Sequence, residues 1–67
     1  MLKAGDRVTA ARDIPVKTHE GKTVFVVPEN TPGAIEFIAE NSLRPYEVHF
    51  EGFEEVILCQ YADLNPA

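Results

Sequence analysis

The sequence predicts an all-β fold, and three observations predict it. Five prolines and four glycines punctuate the chain. The runs between them are short and rich in Val, Ile and Phe, with no long apolar stripe at helical spacing. With 67 residues, the chain supports a single domain, spanning residues 1–67, because a chain of this size buries only about 60% of the surface its unfolded form exposes. No internal repeat, low-complexity tract or linker divides it.

The first strand is expected at Arg7-Val8-Thr9-Ala10-Ala11-Arg12, with Val8 and Ala10 on one face and Gly5-Asp6 supplying the turn before it. A long excursion follows, from about Asp13 to Thr31. Within it, Val16-Lys17-Thr18 and Thr23-Val24-Phe25-Val26-Val27 flank His19-Glu20-Gly21-Lys22, which suits a hairpin with Gly21 at positive φ. In this reading Val24 and Val26 point inward and Phe25 outward. Pro28 and Pro32 bracket a turn and forbid a continuous helix there.

Gly33-Ala34-Ile35-Glu36-Phe37-Ile38-Ala39 reads as the second long strand, its glycine marking a bulge or a close backbone approach. Two helical turns over Ala34–Glu40, started by Pro32, are the alternative. Tyr46-Glu47-Val48-His49-Phe50 alternates strictly, and Glu55-Val56-Ile57-Leu58-Cys59 follows a glycine-containing loop, which is a hairpin signal. Placing Val48 and Phe50 in the core puts Val56 and Leu58 there too, and leaves Glu47, His49, Ile57 and Cys59 on the outer face. The tail, Gln60 to Pro66, suits one 3₁₀ turn, with Leu64 as a buried plug. The expected core is therefore Val8, Val48, Phe50, Val56, Leu58 and Leu64. Strand, long loop, three strands and a terminal 3₁₀ turn is the order of a small SH3-like barrel of about five strands.

The net charge is −5, unevenly spread: residues 1–28 carry five Lys/Arg against three acids, and residues 29–67 carry Arg44 alone against eight. Nucleic-acid binding rests on Lys and Arg neutralising phosphates, so an acidic second half opposes it. A basic strip of Lys3, Arg7, Arg12, Lys17 and Lys22 keeps a KOW-like nucleic-acid module as an alternative. No apolar stretch approaches the roughly 20 residues of a membrane span. Met1–Asp6 lacks the apolar run of a signal peptide, and one cysteine cannot form an internal disulfide, so a reducing, cytoplasmic setting is expected.

Cys59 could act as a thiolate only with a lowered pKa, and the nearby Glu47, Glu54 and Glu55 would raise it. Its plainer role is a small half-buried hydrophobe on a strand. Cys59, His49 and Glu47 form a weak candidate metal set, lacking short-range spacing. His19 sits near a loop tip. Ser42 is the only serine and has no nucleophile elbow. A Cys59–His49 pair lacks an evident oxyanion hole or cleft, and no Gly-rich phosphate loop occurs. The expectation is no enzyme and no cofactor. Partner binding has the better support. Phe53 sits at a hairpin tip, and with Ile57, Cys59, His49, Glu47 and Phe25 it makes a candidate interface of aromatic and apolar side chains with an acidic rim. Covering an open end of the barrel is the competing role for Phe53 and Phe25.

Gly5-Asp6-Arg7-Val8, Tyr46-Glu47-Val48-His49-Phe50 and Asp63-Leu64 give the chain a resemblance to the small SH3-like electron-transport accessory proteins. That group includes the ferredoxin–thioredoxin reductase variable chain, the photosystem I subunit PsaE, the nitrile hydratase β-chain barrel and the NifZ nitrogen-fixation family. The chain is most similar in texture to NifZ, which joins a Gly-Asp-Arg-Val strand, an aspartate–isoleucine step, a Val-x-Phe strand and a cysteine-containing strand. The matching positions are Gly5–Val8, Asp13-Ile14, Val48-His49-Phe50 and Cys59; the loop from Pro15 to Pro32 departs from the glycine-rich loops of that family. The resemblance implies a non-catalytic accessory or docking protein of a larger redox or metallocluster enzyme.

Overall fold

The computed structural model describes residues 2–67. Seven strands follow one another: β1 (Arg7–Ala10), β2 (Ile14–Lys17), β3 (Thr23–Val27), β4 (Pro32–Ile38), β5 (Tyr46–Phe50), β6 (Val56–Cys59) and, after the 3₁₀ turn Tyr61–Asp63, β7 (Leu64–Pro66). One antiparallel sheet has the order β6-β5-β4-β1-β7, and β2 and β3 form a separate hairpin. The protein is all-β, and its two sheets do not close into a barrel. Among the described residues, no helix is long and apolar enough to cross a membrane.

The turns form where the chain's chemistry permits them. Gly5, Gly21 and Gly52 take φ of 94°, 87° and 88°, a region that side chains with a Cβ resist. The Gly21 turn closes the β2–β3 hairpin through Thr18 N–H to the Lys22 carbonyl at 2.9 Å. The Pro28–Thr31 turn is latched by Glu29 N–H donating to Asp13 Oδ1 at 2.8 Å and Asn30 N–H to the Ala10 carbonyl at 2.8 Å. The stretch opened by Pro32 is a strand, not two turns of helix.

Gly33 lies in a row between Val8 of β1 and Phe50 of β5. A Cβ there would meet the His49 carbonyl oxygen at 2.8 Å and the Phe50 ring at 2.9 Å. Glycine thus gives the largest fully buried side chain, Phe50, its space. The next inward row is Ile35, Val48 and Ile57. Between these rows the core gathers Leu2, Val8, Ala10, Leu64 and Cys59, with Ile14 and Val27 contributed by the hairpin.

Two face assignments read from the sequence are inverted. Val56 and Leu58 are exposed, whereas Ile57 and Cys59 are buried. The cause is register parity: β5 and β6 pair as Val48↔Ile57 and Tyr46↔Cys59, and a one-residue change of register moves every side chain to the opposite face. In the first hairpin, Val24 and Val26 are exposed and Phe25 packs against the core. Its pairing with Val16, next to the Ile14↔Val27 pair, puts Phe25 on the inward side. Val8, Val48, Phe50 and Leu64 are buried as expected.

Candidate functional site

The outer face of the five-stranded sheet collects most of the unburied chemistry. Its first row runs Arg7, Ala34, His49, Val56 across β1, β4, β5 and β6; its second runs Phe37, Glu47, Leu58 across β4, β5 and β6. Phe37 is 55% exposed, Leu58 51% and Val56 41%. Phe37 reaches this face because of a bulge. The pairing passes from Ile35↔Val48 to Phe37↔Glu47, leaving Glu36 as the extra residue. Without that insertion Phe37 would alternate inward with Ile35, so one bulged residue carries an aromatic ring from the core side to solvent.

His49 ties the face together. Its Nε2 lies 2.7 Å from the Phe53 carbonyl oxygen; a carbonyl only accepts, so this nitrogen donates. The bond holds the β5–β6 turn against the sheet. Nδ1 lies 3.5 Å from the Glu36 carboxylate, a contact that becomes an ion pair when the ring is protonated. Glu47 stands between Phe37 and Leu58 in the second row.

Phe53 and Phe25 leave the expected interface set in part. Their rings stack with centroids 5.3 Å apart and planes 20° apart, and both are half-buried against the core. The turn tip therefore folds back onto the β2–β3 hairpin and covers one end of the space between the two sheets, which is the end-covering role. Ile57 and Cys59 leave it entirely by facing inward.

Cys59 is fully buried. Burial pushes its thiol up to about 12, the Asp63 carboxylate adds to the shift and Arg44 opposes it. The direction agrees with expectation, but desolvation leads, not the flanking glutamates. The sheet separates Cys59, on the inner side, from His49 and Glu47 on the outer, so these three do not converge. Among the described residues, no group of three or more His, Cys, Asp or Glu is placed to hold a metal ion.

Sequence reasoning gave no role to Asp63 beyond its family resemblance. It is the buried charged residue of the described chain. Arg12 Nε donates to its Oδ1 at 2.8 Å, and Gln60 N–H donates to Oδ2 at 2.9 Å. This joins the end of β1 to the 3₁₀ turn and takes Arg12 out of the basic strip. The only signal for it was an aspartate beside the buried Leu64.

A groove of about 190 Å³ lies between β2 and β6, lined by Pro15, Val16, Lys17, Arg44, Glu55 and the stretch Val56–Leu58. Small-molecule and cofactor sites typically run to about 300–1,000 Å³, so the groove falls below that range. Comparison with protein-family models, curated proteins and solved structures finds no match.

Proposed function

We propose that this protein is a non-catalytic docking subunit, SH3-like in its strand order and open along the seam between β2 and β6. It binds a larger protein through the outer face of its five-stranded sheet. The observation that carries this reading is the solvent-facing apolar set Phe37, Val56 and Leu58 around Glu47 and His49. Three large apolar side chains on one face of so small a domain add no core, and such patches mark interaction surfaces. Glu36, Glu54 and Glu55 flank the patch and Glu47 stands within it, which favours a partner surface that offers both apolar and basic groups. A redox or metallocluster enzyme, nitrogen fixation included, is the proposed partner class, in a reducing cytoplasmic setting; the sequence resemblance supports this context. The order β6-β5-β4-β1-β7 with a 3₁₀ turn before the last strand supports the same kinship.

The test is paired capture from cell extract with wild type and Phe37→Glu. The variant changes an exposed residue, so its melting temperature should stay near wild type. The expected result is a redox assembly retained by wild type and lost from the variant. Equal retention by both proteins would remove the outer face as the site. Recovery of ribosomal or polymerase components would favour the KOW-like alternative.

A further inference from the structure

The five-stranded sheet ends on two strands that differ in how they meet solvent. At one edge, β7 is three residues long and finishes at Pro66. At the other, β6 reads Val56-Ile57-Leu58-Cys59, with no proline, lysine or bulge. Open edges present unpaired backbone groups and are ordinarily blunted by those devices. β6 carries none of them.

Its backbone direction follows from the neighbouring strands. Gly5 N–H donates to the Ile35 carbonyl at 2.8 Å, and Ile35 N–H to the Asp6 carbonyl at 2.9 Å, so Ile35 directs both groups towards β1. Alternation then directs those of Ala34 and its partner His49 at each other, and those of Val48 at Ile57. The N–H and C=O groups of Val56 and Leu58 therefore point away from β5, out of the open edge. The groove runs beside this edge. Across it, Pro15 removes a donor from β2, leaving β6 as the better-equipped wall. Lys17 and Arg44 also line the groove, against the single acid Glu55. Arg44 is the only Lys or Arg of residues 29–67, and neither it nor Lys17 makes an ion pair among the described residues.

We propose that β6 is a strand-addition site. An extended acidic segment of the docking partner, separate from the basic surface that meets the outer face, pairs with the backbone of Val56 and Leu58, lays apolar side chains beside those two, and turns carboxylates towards Lys17 and Arg44. The inference rests on the docking reading above and names where the partner is gripped. A second copy suits the edge less well. A paired β6 would bring a whole second domain up to a groove of about 190 Å³, where a single extended segment needs far less room.

Amide hydrogen exchange followed by NMR reads the site directly. In the free protein, Ile57 and Cys59 amides exchange slowly and those of Val56 and Leu58 quickly. A capped peptide of alternating valine and glutamate, at saturating concentration and low salt, slows Val56 and Leu58 by about tenfold or more; its valine–lysine counterpart does not. Val56→Pro removes an outward N–H at the first residue of a strand, where proline is tolerated, and abolishes the effect without unfolding the protein. If that variant unfolds, the wild-type exchange pattern still decides. Protection of Val56 and Leu58 that grows with protein concentration alone would make a second copy the occupant and overturn the proposal. Equal protection by the lysine peptide, or none by either, would overturn it too. Should the peptide fail while Phe37→Glu still abolishes capture, the docking face stands and this inference alone falls.

Discussion

Strands β5 and β6 lie side by side and share two faces, yet they populate them differently. β5 alternates by chemistry, with Val48 and Phe50 inward and Glu47 and His49 outward. β6 is apolar or soft on both sides, with Ile57 and Cys59 buried and Val56 and Leu58 exposed. Equivalent side chains one residue apart thus do different work. Ile57 fills the row with Ile35 and Val48, and its burial helps to offset the entropy of ordering the chain. Leu58 lies over Glu47 in water. Hydrophobicity in such a strand says little about stability until the register is known. Apolar residues the core does not use are free to serve binding.

The largest expected effect comes from the inner face. Ile57→Ala should destabilise by about 2–5 kcal/mol, through lost burial and the cavity left between Ile35 and Val48. Set against the low end of domain stabilities, about 5 kcal/mol, that leaves the protein marginal in urea or thermal unfolding. A loss below about 1 kcal/mol would mean that the pairing Val48↔Ile57 is wrong and the two faces of β6 should be exchanged.

Cys59 tests the same face by pH. Its thiol rises from an ordinary 9.0 to about 12 in the folded protein, so the native state keeps a proton that the unfolded chain has already lost. Between about pH 9 and 12 the unfolded state binds fewer protons, and stability must fall as pH rises. Cys59→Ala should lose stability at neutral pH but lack this part of the alkaline decline, on the order of a kcal/mol or more. Identical alkaline profiles for wild type and variant would place the thiol in water. Labelling by a thiol reagent at neutral pH should likewise await opening of the fold.

What could be read in advance follows the same contrast. The turns at Gly5, Gly21 and Gly52, the strand identities of β1, β4, β5 and β6, the closeness at Gly33 and the plug at Leu64 each have one local cause, a glycine, a proline or a polar–apolar alternation. The face of β5 was legible because glutamate and histidine mark its outer side. The faces of β3 and β6 were not, since Val24–Val27 and Val56–Cys59 are apolar or soft at every position and only pairing with distant strands decides them. The bulge at Glu36 left no mark beyond a blurred alternation, and so the outward Phe37 was missed. Asp63 was hidden for a related reason: its partner Arg12 lies 51 residues away in sequence.

A middle-sized effect separates polar from apolar support of the inner side. Asp63→Ala removes the acceptor for Arg12 and for the Gln60 amide, and should cost about 1–3 kcal/mol. The cost stays at that scale because the Arg12 side chain is 62% exposed and can turn to water. Chemical denaturation of Asp63→Ala beside Asp63→Asn would sharpen this. The asparagine keeps one acceptor, so it should retain part of the loss. If both variants match wild type, the 3₁₀ turn is held by Leu64 alone.

The smallest effect is expected where the sequence reading placed a large one. Leu58→Thr keeps a strand-favouring β-branched residue, removes an apolar side chain already half in water, and should change stability by no more than about 0.5 kcal/mol. The substitution leaves the backbone direction at position 58 unaltered, so the open edge survives while the outer face loses one of its three large apolar groups. Partner capture should therefore weaken, and further with Val56→Thr, while the unfolding midpoint holds. Ile57→Ala should do the reverse, lowering the midpoint and leaving capture by the remaining folded protein intact. A Leu58→Thr protein that unfolds several degrees early would show that this side chain is packed, and the contrast between the two faces of β6 would collapse.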